Sequence, residues 1–343
     1  MASLTTLKVN SYIFISLMFL IFGIFLTIIY VLTGIPYQIM GFIFLAVIIF
    51  QILISSSIVK WTTGTRLLEK GENPYLEKKV SYLAEKAEIS MPKLGIVEDP
   101  TPNAFVFGLT QGGSTLSVHR GLLENLNDDE ITAVLGHEIG HIKNRDCMYM
   151  TILSTMPLIA YYGMHLIFFG GGRNRDGGGA VIIVIALVSA VIYFITSLLN
   201  KRISRIREFY ADAYSAHITR DPHALSSALT KITYGLSLAP PEQKAKNAAR
   251  SFYIGDVQNA QNEMDIIMRN KNKYDLDGDG VIDENELEQA MQDEANRSTW
   301  DRFGGLLSTH PPTFKRILAL KAMEKDFKKG QISDEKIYEK VKF

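Results

Sequence analysis

Residues 9–59 carry no charged side chain. Within them, "YIFISLMFLIFGIFLTIIYVL" and "IMGFIFLAVIIFQILISSSIV" are unbroken apolar blocks separated by "TGIPYQ". Each matches the roughly 20 residues a helix needs to cross a bilayer, and Gly34 and Pro36 mark a turn between them. A cleaved leader has a shorter apolar core and no second block behind it. The pattern therefore predicts a transmembrane hairpin over residues 1–60.

A second pair of blocks follows. Residues 147–172 contain no Asp, Glu, Lys or Arg, and "AVIIVIALVSAVIYFITSLL" occupies 180–199 beyond a glycine-rich turn. Pro157, Tyr161, Tyr162 and His165 make the third block more amphipathic than the others. It reads either as half of a second spanning hairpin (147–200) or as a segment that is partly inserted or packed on protein. Lys60, Arg66, Lys70, Lys78 and Lys79 follow the second block, Lys143 and Arg145 precede the third, and Lys201, Arg202, Arg205 and Arg207 follow the fourth. The 33–37 turn has no basic residue, although Arg173 and Arg175 lie in the second turn. Basic residues collect on the cytoplasmic side, so the polar parts are expected in the cytoplasm, beneath the plasma membrane of a multi-pass protein.

The polar parts alternate differently. "NPYLEKKVSYLAEKAEIS" (73–90) places Tyr75, Val80, Leu83, Ala84 and Ala87 on one helical face. "KLGIVED" (93–99), "NAFVFG" (103–108) and "STLSVH" (114–119) read as strands, with a glycine turn between the last two. "NLNDDEITAVLGHEIGHIKNRD" opens on capping residues and a carboxylate-rich first turn, then runs as a helix.

That helix carries His137 and His141 one turn apart on one side, with Glu138 directly after the first. Two imidazoles at this spacing can bind one zinc ion, and the glutamate can act on the water the metal activates. A solvated face with two histidines is the plainer alternative. A zinc site needs a third ligand, and "SRIREFYADAYSAH" (204–217) offers Glu208, with Asp212 one turn on to accept the other N–H of a ligating histidine. The alternative there is a set of surface salt bridges among Arg205, Glu208 and Asp212.

These residues resemble the HtpX family of membrane-bound zinc metalloproteases, part of the larger group that also holds the Ste24 prenyl-protein proteases. "HEIGH", "SRIREFYAD", the hydrophobic hairpin between them and "THPP" with a following arginine carry the resemblance, over roughly residues 10–240 and 305–325. The resemblance implies His137, His141 and Glu208 as zinc ligands, Glu138 as the catalytic carboxylate and Asp212 as the aspartate that supports a ligating histidine. It implies that Asn103, Ala104 and Phe105 edge the cleft, where an extended substrate can add as a strand. His310 becomes a candidate for stabilising the transition state, and Arg316 reads as structural. The implied activity is zinc-dependent endopeptidase cleavage of misfolded or surplus membrane proteins in their cytoplasmic regions. A narrow-specificity processing protease, of prenyl-protein or signal-peptide type, is the alternative within enzymes. A calcium-responsive membrane scaffold with an inactive zinc site is the alternative outside them, and the intact Glu138 argues against it.

One motif lies outside the resemblance. "DLDGDGVIDENE" (275–286) satisfies the EF-hand pattern: Asp275, Asp277 and Asp279, a carbonyl from Val281, then Asp283 and a closing Glu286. A calcium ion is the expected occupant, in an insertion between the Glu208 helix and the His-Pro segment. The plain reading is an acidic solvated loop.

Composition adds limits. The 36 basic and 36 acidic residues cancel, which gives no reason to expect nucleic acid; the expected partners are polypeptides and lipid. The single cysteine, Cys147, excludes an internal disulfide. The expected fold is a mainly α integral membrane protein, with four transmembrane helices and a zincin-like α+β metalloprotease domain. Its parts are the hairpin (1–60), the first catalytic part (61–146), the second hairpin (147–200), the part with the third ligand (201–260), the calcium-loop region (261–300) and the C-terminal catalytic part (301–343).

Overall fold

The computed structural model describes residues 4–170, 178–238, 254–255, 257–279, 282–297 and 308–329. Helices α1 (Leu4–Thr33) and α2 (Tyr37–Thr63) form the N-terminal hairpin, turned at Gly34 with φ of 70°. Gly64, also at φ 70°, ends α2 in the left-handed conformation that glycine adopts without strain. Strand β1 (Arg66–Leu67) follows, then α3 (Pro74–Lys86), which starts where Asn73 accepts from the Leu76 N–H.

Strands β2 (Lys93–Val97), β3 (Ala104–Phe107) and β4 (Thr115–His119) join β1 in one sheet of order β1-β2-β4-β3. β2 and β4 run parallel; β1 pairs antiparallel with β2, and β3 with β4. β3 is therefore an outer strand. The three strands expected from alternation are present, and β1 is too short to have left a periodic signal.

After the short α4 (Arg120–Asn125) comes α5 (Asp128–Lys143), closed at its start by a reciprocal capping box between Asn127 and Glu130. Its apolar residues Ile131, Val134, Leu135, Ile139 and Ile142 are all buried, each contributing about 1.5–3 kcal/mol of transfer free energy. Helix α6 (Asp146–Gly170) leads away, and α7 (Gly178–Thr219) returns as one uninterrupted helix of 42 residues. The division expected at residue 200 falls inside this helix; apolar and catalytic stretches share one hydrogen-bond ladder. α8 (Pro222–Ser237), α9 (Val257–Arg269), α10 (Lys271–Tyr274), α11 (Glu284–Arg297) and α12 (Thr313–Lys328) complete the described chain.

Three described helices are long and apolar enough to cross a membrane: Ser11–Thr33, Tyr37–Thr63 and the stretch beginning at Gly179. Among the described residues a fourth span is not found; α6 carries Pro157, Tyr161, Tyr162 and His165 within its apolar run. Arg173 and Arg175 lie outside the described residues.

The apolar core falls into separate clusters. The largest joins α3, the sheet, α5, α7, α8 and α12. A second packs Met18, Phe22 and Phe25 of α1 against Leu153 and Met156 of α6 and Ile192 and Ile203 of α7. A third collects Met264, Ile267, Tyr274, Leu287 and Met291 with Phe314 and Ile317 of α12.

α5 lies against α7 through two glycines. A Cβ at Gly136 would stand 3.2 Å from Ser215 Oγ and Thr219 Cγ2, and one at Gly140 would stand 3.3 Å from the Ala211 Cα. No larger side chain fits without moving the helices apart. Gly140→Leu is expected to cost about 1–3 kcal/mol by overpacking and, if His141 and Glu208 are ligands as the resemblance implies, to weaken zinc binding, because they lie on the separated helices. Thermal unfolding and zinc titration of the variant check this; unchanged zinc affinity would show that this contact does not set the spacing of the site.

Candidate active site

The i, i+4 spacing on α5 sets the His137 and His141 rings edge to face, with centroids 4.7 Å apart. Their Nε2 atoms are 3.1 Å apart. Each ring is held from behind by a carboxylate: His137 Nδ1 lies 3.0 Å from Asp212 Oδ1, and His141 Nδ1 lies 2.7 Å from Asp146 Oδ2. A carboxylate accepts, so both Nδ1 atoms are assigned the proton. Both Nε2 atoms then carry lone pairs that face one another. Glu208 closes the third side, with Oε2 3.7 Å from His137 Nε2 and Oε1 3.5 Å from His141 Nε2.

Lone pairs from two imidazoles and a carboxylate converging on one point repel unless a cation lies between them. A tetrahedral zinc with bonds of ~2.0–2.1 Å separates two nitrogen ligands by about 3.3 Å, close to the spacing here. Glu208 Oε2 and His310 Nδ1 are also shut off from solvent and make no hydrogen bond among the described residues. The donor set therefore fits zinc. The solvated-face and surface-salt-bridge alternatives do not match the burial: His137, Glu208 and Asp212 are all buried. Arg205, also buried, donates to the Ser308 carbonyl at 2.6 Å.

Two arginines tie the carboxylates down. Arg316 on α12 is 1% exposed and grips Asp212 with both ends of its fork, Nε to Oδ2 at 2.8 Å and Nη2 to Oδ1 at 2.6 Å. Its Nη1 donates to the Ile254 carbonyl at 2.6 Å and lies 3.4 Å from Glu208 Oε2. Burial alone would lower the pKa of this guanidinium, but the Asp212 carboxylate outweighs it and holds the group above its ordinary value. Arg316 is structural, as expected, but the structure it supports is the metal site itself. Arg207 of α7 pairs with Asp146 Oδ1 and donates to the Asn144 carbonyl at 3.1 Å.

Glu138 is buried, and burial pushes its carboxyl above the usual carboxylate range against the pull of His137 and His141. It lines a cavity of about 420 Å³ together with both histidines, Glu208, His310 and the β3 strand. His310 Nδ1 lies 3.4 Å from Glu208 Oε2, so the His-Pro segment meets the site directly. Ala104 and Phe105 line the cavity. Asn103 does not: it is 1% exposed and its Oδ1 accepts from the Ile254 N–H at 2.9 Å. It binds the segment that Arg316 also holds.

Asp146 and Arg207 were missing from the residues expected at the site. The signal for Asp146 was slight. α5 ends at Asn144, and Arg145 takes φ of 54°, a left-handed turn that swings Asp146 back towards His141.

The 275–286 segment is partly described. Asp275, Asp277 and Glu286 offer oxygens within 4.8 Å of one another. Glu286 accepts from the Leu276 N–H at 2.6 Å and the Asp283 N–H at 3.0 Å. Asp279 and Asp283 do not join that group; the Asp283 carboxylate accepts from the Glu286 N–H at 2.9 Å, capping the first turn of α11. Val281 lies outside the described residues.

Comparison with known proteins finds related chains. A protease HtpX homolog of Methanothermobacter thermautotrophicus is 40% identical over 214 residues, covering 62% of this chain and 78% of its own. One from Thermococcus sibiricus is 31% identical over 312 residues, covering 89% and 93%. The solved structure of S. mikatae Ste24p overlaps 67% of this chain and 60% of its own, with a TM-score of 0.44 and 22% identity. Residues 70–324 match peptidase family M48, and with the histidine–glutamate constellation inside that range the chain belongs to this family and is a metallopeptidase.

Proposed function

We propose that the protein is a membrane-bound zinc endopeptidase that cuts misfolded or surplus membrane proteins in their cytoplasmic regions. The convergence of His137 Nε2, His141 Nε2 and Glu208 beside a buried Glu138, at the end of helices apolar enough to cross a bilayer, carries this reading. In it α6 pairs with α7 as a second membrane hairpin. The lysines and arginines at the catalytic ends of α2 and α7 support a cytoplasmic active site.

His137, His141 and Glu208 would hold the metal, which when bound acidifies a water molecule and polarises the scissile carbonyl. Glu138 takes the proton from the attacking water and passes it to the leaving amine, a task that suits a carboxyl raised by burial. His310, which also lines the cavity, faces the carbonyl oxygen and donates to it as negative charge develops. The substrate lies extended along the outer strand β3, its main chain pairing with Ala104 and Phe105.

The 275–286 segment takes a calcium ion in this reading. Asp275, Asp277 and Glu286 provide the clustered oxygens, and Asp279, Val281 and Asp283 complete the set when the loop closes. Its flanking helices share an apolar cluster with Phe314 and Ile317, on either side of Arg316, so an occupied loop stiffens the helix that supports the metal site.

The decisive assay is casein cleavage by the detergent-purified protein. Glu138→Gln is expected to keep zinc and lose about 10²–10⁴-fold in rate, and a chelator should abolish wild-type cleavage until zinc is returned. Full activity of zinc-loaded Glu138→Gln would refute the assignment. Asp146→Ala leaves His141 without its acceptor and should weaken zinc binding about 10–100-fold, read by competition with a chromogenic chelator. Calcium titration with and without Glu286→Gln tests the loop: wild type should bind one ion and unfold at a higher temperature with it, and the variant should lose both effects.

A further inference from the structure

The active-site cavity does not stop at the catalytic residues. Its far side is built by Ser55 and Ser56 of α2, Thr151 and Ser154 of α6, and Asn200 and Ser204 of α7. On α2 the same turns expose Leu53, at 72%, and Ile58, at 47%, on the outside. Polar groups therefore face inward from helices whose outer surface suits lipid. A helix in lipid gains nothing from such hydroxyls unless a polar group lies opposite them. Ser55, Thr151 and Ser154 meanwhile return their hydroxyls to their own helix carbonyls, Ile52, Cys147 and Thr151 respectively. Asn200 Oδ1 is shut off from solvent and accepts no hydrogen bond among the described residues, although a buried amide oxygen normally finds a donor.

The first charged residues beyond the apolar stretches are Lys60 on α2, Asp146 on α6 and Lys201 on α7, and the bilayer boundary is placed at their level because charged side chains are costly inside lipid. Ser55 lies five residues inside it, about 8 Å down the helix, and Ser154 eight residues inside, about 12 Å. Glu208 lies seven residues outside it on the same continuous α7, about 10 Å up. The cavity thus crosses the boundary, and one rigid helix sets the height of the metal ligand above it.

We infer that the polar inner half of this cavity receives the end of a substrate's own transmembrane helix, unwound there so that the scissile bond reaches Glu138. Unwinding exposes peptide N–H and C=O groups that lipid cannot satisfy. The hydroxyls of Ser55, Ser56, Thr151 and Ser154 and the free oxygen of Asn200 supply the replacement partners. An extended chain advances about 3.3 Å per residue, so the height of about 10 Å places the cut about three residues outside the substrate's membrane span. This inference rests on the proposed action on membrane proteins and adds where along such a protein the enzyme cuts.

The test uses the full-length enzyme in liposomes with zinc. Substrates carry one leucine-rich span followed by a casein-derived unstructured tail, and free casein serves as reference. Mass spectrometry of the products maps the cuts. Wild type should cut within about three to six residues of the span. Asn200→Leu and the pair Ser55→Val with Ser154→Val should lower the ratio of span-proximal cleavage to free-casein cleavage at least tenfold. Cuts confined to the distal tail in wild type, or a ratio unchanged in both variants, would overturn the inference while leaving the proposed function intact. Cleavage of free casein with no cut in any anchored substrate would instead overturn the membrane-protein reading, and this inference with it.

Discussion

Asp212 accepts two hydrogen bonds from the Arg316 guanidinium and one from the His137 imidazole. Three helices, α5, α7 and α12, meet at that carboxylate. Two charged groups are buried there almost completely, and each is tolerable only because the other is present. Removing Arg316 would leave Asp212 and Glu208 facing each other in a dry interior; breaking such a pair costs about 3–5 kcal/mol. The orientation of His137 depends on the same carboxylate, so the stability of the fold and the geometry of the metal site are bound up in one interaction.

The second imidazole is held by different means. His141 is fixed by Asp146, which Arg207 secures from α7. Each ligand histidine thus has a carboxylate behind it and an arginine behind the carboxylate. Both chains lead to α7, directly through Asp212 and Glu208 or through Arg207. A single helix of 42 residues therefore gathers the metal site while its first half lies among the apolar helices. Motion of the site relative to the membrane would require bending that helix, and it contains no proline or glycine beyond its first turn to permit a kink.

The helices flanking residues 275–286 are joined to this arrangement through apolar contacts. Phe314 and Ile317, on either side of Arg316, pack with Leu287 and Met291 from α11. These helices thus brace the helix that carries the central arginine, and the His-Pro segment just before it brings His310 within 3.4 Å of Glu208.

Features governed by neighbours along the chain were legible in the sequence. The N-terminal hairpin followed from a charge-free run, α5 from its caps and periodicity, and the facing histidines from a spacing of four. Strands β2 to β4 followed from short β-rich runs between turns. Glu208 and Asp212 were legible as a pair because they also lie four apart on one helix. The contacts that turn these residues into a site join positions far apart in sequence, such as Arg316 with Asp212 and Arg207 with Asp146, and no local periodicity encodes them. Asn103 faces away from the cleft for a related reason: its partner, the Ile254 N–H, lies far along the chain, and no local pattern encodes that contact. The chain by itself determined which elements form and which chemistry they carry. Tertiary packing decided which carboxylate supports which imidazole, because that choice depends on how α5, α7 and α12 pack, through glycines at one contact and a buried arginine at the other.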